Sequence, residues 1–332
     1  MPQLDPARPA TAVDVARHAG LSRSTVSQIL GGYGDRFLEE TREKVAAAAA
    51  ELNYRPSRAG RALVTGVADI VVVVVPNITF GSHLQDTLDR VSQATEQYGL
   101  SVLLRYAGDD TGSTLQTILD LRPAVILDLG VFDAAQRATI RTAGTRVIPE
   151  VDQAHLGEDP NHLIGRMQVE HLLRAGTRRL VSALLDDVRQ DIFGPLRAQG
   201  IAAAAAEAGA APPVEVRVPL DRDAATAVLR PHLEGDDPVG VCCYNDDVAM
   251  AVVAACHDLG ISIPDQVSVI GVDRTAGGQL ISPRLTSISV DMPGLVERLF
   301  GELADADSAS GGSSIVYTDL EGYVNLIPGE SS

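Results

Sequence analysis

An all-α head of short helices, followed by an α/β core of two doubly wound lobes, is the fold class predicted by this sequence of 332 residues. Three observations predict it. Between Thr11 and Leu52, apolar residues recur at helical spacing in three short runs. From Val67 the texture changes to β-branched runs alternating with helical patterns, as βαβ units require. The length also exceeds that of one typical domain.

In the head, Thr11 can cap a first helix, with Asp14 three residues on as its capping-box partner. Val13, Ala16 and Ala19 form the apolar side of that helix, and Gly20 stops it. Ser22 is the expected N-cap of the next helix, whose Val26, Ile29 and Leu30 face inward. Arg23, Ser24 and Gln28 are then left on the outward face. Gly31, Gly32 and Gly34 predict a loop, and Thr41 to Leu52 a third helix with Val45, Ala48 and Leu52 as its apolar side. Two helices joined by a tight turn, with a third behind, is the order that places one helix in a DNA major groove. After Pro56, SRAGRALVTG carries Arg58 and Arg61 and no acidic residue. That segment is too short to hold a helix alone, so a partner has to order it.

The core opens with VADIVVVVVPN, a continuous β-branched run expected of a strand buried on both faces of a parallel sheet. Helix Leu84 to Tyr98, strand LSVLLRY, helix Thr114 to Leu121, strand AVILDLG, helix Ala134 to Ala143 and strand TRVIPEV complete a first half. The second half runs from helix Leu163 to Ala175 through strands RLVSALL, VEVRVPL, VGVCCYN and VSVIGVD, with helices Leu196 to Ala208, Ala224 to His232 and Asp247 to Leu259 between them. SASGGSS and IVYTDLEGYVNLIP read as a loop and a last strand or two.

Charge separates the two parts. The net formal charge is −17, yet residues 1–66 hold 9 Lys or Arg against 7 Asp or Glu, and the remainder 18 against 37. An acidic body repels phosphate, which confines any nucleic-acid contact to the head. Cys242, Cys243 and Cys256 cannot build a disulfide framework and are expected to be buried, reduced thiols. The segment MPQLDPARPA has no apolar stretch of the signal-peptide kind, and Ile70 to Val75 is far too short to span a bilayer. A cytoplasmic protein without membrane contact is the expectation.

The head motifs VARHAGLSRSTVSQIL and ETREKVAAAAAELNYRPSRAGRAL, with YNDDVAMAVVAACHDLGISIPDQVSVIGVD and SPRLTSISVD in the body, resemble the LacI/GalR family of bacterial transcription regulators. The resemblance covers Thr11 to about Leu299. It implies a helix-turn-helix domain over residues 1–56, a hinge helix over 57–66, and a periplasmic-binding-protein-like core over 67–332. That core has two Rossmann-like lobes, one of residues 67–159 plus the C-terminal segment, the other of 160–287. It further implies a homodimer or a dimer of dimers on a pseudo-palindromic double-stranded operator.

By this resemblance Arg23, Ser24 and Gln28 occupy the positions that touch base edges. Arg pairs bidentately with guanine and Gln with adenine, each worth about 1–3 kcal/mol of discrimination. Ser22, Thr25 and Ser27 can donate to phosphates, which set register. Leu63 matches the hinge leucine that wedges into the minor groove. The expected DNA-binding set is thus Thr11, Ser22, Arg23, Ser24, Thr25, Ser27, Gln28, Arg58, Arg61 and Leu63.

The resemblance also implies a small effector between the lobes, beyond the carboxyl ends of the strands. Phe80, Arg197, Asn245 and Asp273 match effector contacts, and Asp128, after strand AVILDLG, is a fifth. A carboxylate, a guanidinium and an amide suit a polyhydroxylated ligand, so a carbohydrate is the expected class. Asn245 reads equally as a cap of the following helix, and Asp246 reads mainly as one. The chain departs from a sugar-binding pattern in having no Trp and only 4% aromatics. NITFGSH stands after the first strand, with His83 where a second aromatic is usual. A pocket without an effector is the alternative. A solute-binding protein is another, disfavoured by the attached head.

Enzymatic classes find no support. No GxGxxG follows a strand, no P-loop is present, and the seven histidines show no metal-ligand spacing. Neither a cofactor nor a metal is expected.

Overall fold

The computed structural model describes residues 10–54, 62, 66–77, 83–96, 98–149, 159–187, 189, 191, 193–306 and 322–332. In the head, α1 (Ala12–Ala19), α2 (Arg23–Gln28) and α3 (Glu39–Glu51) enclose a small core of Val15, Ala16, Val26, Val45, Ala48 and Ala49. The glycines after α2 do not form the expected loop. The chain winds on through a wide helical turn, Ile29–Tyr33, and a single 3-10 turn, Gly34–Arg36. Ile29 and Leu30 pack on the head core, so tertiary contact carries the winding across residues of poor helix propensity. Helix α3 begins before Thr41 because Glu39 and Glu40 complement the positive end of its dipole.

The first lobe is a four-stranded parallel sheet in the order β2-β1-β3-β4. Its strands are β1 (Ala68–Val75), β2 (Ser101–Tyr106), β3 (Pro123–Asp128) and β4 (Arg146–Ile148). Helices α4 (His83–Glu96), α5 (Thr111–Asp120) and α6 (Ala134–Thr142) lie between them in sequence. The valine run of β1 shows why this sheet is covered on both sides. Val71 to Val75 are all at 0% exposure. Val71, Val73 and Val75 point to a layer formed by α4 and a later helix, α12 (Met292–Ala306), while Val72 and Val74 meet α5 and α6. A period of two on a pleated strand divides one apolar run between two cores.

The second sheet has the order β10-β9-β8-β7-β5-β6. It comprises β5 (Arg179–Leu185), β6 (Val214–Val218), β7 (Val239–Cys243), β8 (Val267–Val272), β9 (Thr286–Val290) and β10 (Val324–Ile327). Its neighbours are parallel except β9 and β10. Helices α7 (Pro160–Arg174) and α8 (Gly194–Glu207) cover one face; α9 (Arg222–Leu233) and α10 (Asp246–Leu259) cover the other. A short α11 (Ala276–Leu280) follows β8. Cys242 and Cys243 face opposite layers, and all three cysteines are free and buried. Burial pushes the Cys256 thiol up to about 12, which leaves it un-ionised and inert near neutral pH.

Three elements go beyond the alternation expected from sequence: α11, β9 and α12. The second sheet continues past residue 287 and also takes β10. The C-terminal stretch therefore divides between the lobes, α12 packing in the first and β10 pairing in the second. Sheet order reverses between β1 and β3 and again between β5 and β7, the switch points where open α/β sheets leave a crevice. Among the described residues no helix is long and apolar enough to cross a membrane.

Candidate nucleic-acid interface and ligand cleft

Local hydrogen bonds fix the two head helices. Thr11 donates its N–H and its hydroxyl to Asp14 Oδ2, at 2.9 and 2.6 Å, which seals the start of α1. Gly20 ends α1 in the left-handed region at φ 69°, where a side chain is strained. The turn brings Ser22 to the start of α2, where its Oγ accepts the Thr25 N–H at 3.0 Å. His18 Nε2 lies 2.6 Å from Glu51 Oε2 and ties α1 to α3. With Val26 at 0% exposure, α2 has a fixed inner side, and Arg23, Ser24, Ser27 and Gln28 stand exposed on the rest of it. Thr25 is half-buried beside the Ser22 cap. The arrangement presents one guanidinium, one amide and two hydroxyls on one short helix. Arg58, Arg61 and Leu63 lie outside the described residues, as does Phe80.

In the second lobe a close helix crossing assembles the other candidate residues. A Cβ on Gly165 of α7 would lie 2.7 Å from Ile201 N, and one on Gly200 of α8 would lie 2.5 Å from His162 Cα. Only glycine permits that approach. It brings Asn161, in the first turn of α7, beside Arg197 of α8, whose Nη2 donates to Asn161 Oδ1 at 3.0 Å. Arg197 Nη1 donates to the Tyr244 carbonyl, and the guanidinium sits 5.0 Å from the centroid of the Tyr244 ring. Asp191 Oδ1 accepts the N–H groups of Phe193 and Gly194 at 3.1 and 2.7 Å and so holds the start of α8. Burial depresses the Arg197 pKa, opposed by Tyr244 and by the carboxylates of Asp273, Asp191 and Asp159.

Arg197 is only 8% exposed, and its Nε has no partner among the described residues. Asn245, at the carboxyl end of β7, accepts the Val248 N–H on its Oδ1 at 3.0 Å and caps α10. Asp246 does not cap the helix, contrary to the expectation from sequence. Its side chain turns away, fully buried, toward Thr275 and Ser287, because the cap position is already filled by Asn245. Burial pushes its carboxyl up to about 6, against the pull of those hydrogen bonds. Asp273 follows β8 with φ 97°, its N–H bonded to the Ile288 carbonyl at 2.8 Å. Arg197, Asn245 and Asp273 thus gather at the carboxyl ends of β5, β7 and β8.

Asp128, in the first lobe, belongs to a different arrangement. It accepts the Val131 N–H at 2.8 Å and Arg137 Nη1 at 3.1 Å, and Arg137 Nη2 reaches the Pro149 carbonyl at 2.8 Å. Burial raises its pKa, with Arg137 the main opposing influence. Two polar residues of the cleft, Asn161 and Tyr244, were missed from sequence. Tyr244 is itself the first residue of the YND run that follows β7, so a usable signal was present. Asn161 had none, because its place depends on the crossing of two glycines far apart in the chain.

The comparisons with known proteins agree with this geometry. Residues 11–57 match the description "Bacterial regulatory proteins, lacI family", and residues 169–332 match "Periplasmic binding protein-like domain". The HTH-type transcriptional regulator GntR of Pseudomonas aeruginosa is 30% identical over 292 residues, covering 83% of this chain and 82% of that protein. The HTH-type transcriptional regulator AscG of Escherichia coli is 25% identical over 308 residues, covering 88% and 90%. Among solved structures, the lac repressor dimer bound to operator and the anti-inducer ONPF superposes with a TM-score of 0.75 at 22% identity, covering 98% of this chain and 99% of that one. These relatives are regulators and not enzymes. The helix-turn-helix head, the parallel-sheet lobes and the match across most of the length place this chain in the LacI family of bacterial DNA-binding transcriptional regulators.

Proposed function

We propose that the protein is a repressor that binds a pseudo-palindromic operator as a dimer and releases or grips it according to a small polyhydroxylated effector held between the core lobes. The observation that carries this reading is the pairing, in one chain, of an exposed polar helix with a buried polar cluster. Arg23, Ser24 and Gln28 read base edges, and Ser22, Thr25 and Ser27 serve phosphate contact or capping. Arg197, Asn245 and Asp273, with Asn161 and Tyr244, form the effector wall of the second lobe, where adjacent hydroxyls of a carbohydrate find paired partners.

Selection from genomic DNA followed by a salt titration tests the first half. Specific binding with steep weakening as salt rises is expected, and failure to enrich any sequence would sink it. A thermal-shift screen over sugars, nucleosides and phosphorylated metabolites tests the second half, since a ligand at 100 times its dissociation constant adds about 2.7 kcal/mol. A second reading, a regulator without an effector, draws support from the hydrogen bonds that already occupy two nitrogens of Arg197 and the Asp128 carboxylate. In that case no compound of the screen stabilises the protein.

A further inference from the structure

Two successive residues at the mouth of the second lobe, Asp273 and Arg274, have φ of 97° and 48°, and neither is glycine. A non-glycine backbone in this region persists only where its surroundings over-determine it. The surroundings here converge on one side chain. Arg274 N–H donates to Ser287 Oγ at 2.9 Å, and the Ser287 hydroxyl donates to Asp246 Oδ1 at 2.7 Å. The Thr275 N–H and hydroxyl donate to Asp246 Oδ2 at 2.6 and 3.1 Å. Thr275 Oγ1 in turn accepts the Gly278 N–H at 3.2 Å and caps α11. Two glycines make room for the carboxylate. A Cβ on Gly271 would lie 2.1 Å from Asp246 Oδ1, and one on Gly278 would lie 2.9 Å from Oδ2.

We infer that Asp246 is a positioning residue: through Thr275 and Ser287 it holds the turn that presents Asp273 to the cleft and, by the same two oxygens, sets the start of α11. The inference deepens the effector reading, on which the role of Asp273 rests. Asp246 neighbours Asn245 in sequence, so one buried carboxylate joins two walls of the cleft to α11, whose Leu280 is 86% exposed. A change in the cleft that moved Asp273 would be transmitted to the outer side of α11 through groups that carry no ligand contact themselves. The carboxylate form matters, because all the groups bonded to it are donors, and an amide would turn an NH2 toward one of them.

The test is amide hydrogen exchange of the ligand-free, full-length protein, followed by mass spectrometry over residues 273–287. Asp246→Asn is expected to speed exchange there by about tenfold while β5 and β7 keep their protection. Ser287→Ala, which removes one link only, is the milder variant and is expected to loosen residues 273–276 alone. The decisive variant is the double substitution Asp246→Asn with Arg274→Gly. Glycine adopts a φ of 48° without strain, so it should restore most of the lost protection, which it could not do if Asp246 merely filled space. Unchanged exchange in Asp246→Asn, loss spread evenly over the second lobe, or no recovery in the double variant would each overturn the inference. Because no ligand is used, these outcomes are separate from the thermal-shift screen, whose failure would remove the effector reading and leave the mechanical role of Asp246 standing.

Discussion

The head and the second-lobe cleft treat their polar residues in opposite ways. On α2 the base-reading candidates Arg23, Ser24 and Gln28 are exposed, while the groups that shape the head, Thr11 and Asp14 at the start of α1 and Ser22 at the start of α2, are bonded to their own helices. In the cleft Arg197 and Asn245 are buried at 8% and 4% exposure and already bonded to the protein. The difference is the one that the proposed roles require of each surface. A groove of DNA arrives from outside, and side chains that reach for it order on contact. A small molecule is enclosed, and its partners gain affinity by being fixed beforehand. Charge obeys the same division, since the slight positive excess of residues 1–66 faces a strongly acidic remainder. The head therefore has little electrostatic grip of its own, which is why the proposed function places two heads on one operator.

Three substitutions can break or sharpen that contrast. The largest effect is expected from Arg137→Ala in the first lobe. The Arg137 and Asp128 side chains are 9% and 1% exposed, and removing the guanidinium leaves a carboxylate buried without its counter-charge. A loss of about 3–5 kcal/mol is expected in denaturant unfolding. Loss of exchange protection should be centred on β3 and α6, and an unchanged midpoint would show that this pair is not the structural element inferred. Arg23→Ala comes next. It should leave melting unaltered and reduce discrimination at one operator position by about 1–3 kcal/mol, measured by competition with single-base operator variants. Uniform weakening across all variants, with a shallower salt slope, would reassign Arg23 to phosphate contact. The smallest effect is expected from Ser22→Ala. Loss of the cap on α2 should cost about 1 kcal/mol of local stability, seen as faster exchange of the α2 amides with the core unaffected.

Much of the head was legible because its signals are local. Thr11 with Asp14, Gly20 and Ser22 each act within four residues, and the structure places each at the cap or turn expected of it. The glycines after α2 misled because contact of Ile29 and Leu30 with the head core outweighs propensity there. The alternating core was legible for a similar reason: runs such as VVVVV have one comfortable environment, the middle of a covered parallel sheet. Strand β9 and helix α12 were missed. LTSISV and the apolar spacing of Leu295, Val296, Leu299 and Phe300 were available as signals.

By itself, then, the sequence determined the helix-turn-helix head, the alternation of strands and helices through β8 and the contrast between a nearly balanced charge in residues 1–66 and an acidic remainder. Those properties depend on neighbours a few residues apart and on composition. Tertiary structure decided the rest. It made Asn245 the cap of α10 and freed Asp246 to hold Thr275 and Ser287, tied Asp128 to Arg137, and set Asn161 against Arg197 where two glycines let helices touch. It also sent α12 back to the first lobe and β10 to the second sheet. A carboxylate has the same letter in a cap, an ion pair and a cleft; which partner it takes depends on distances that appear only after the chain has closed on itself.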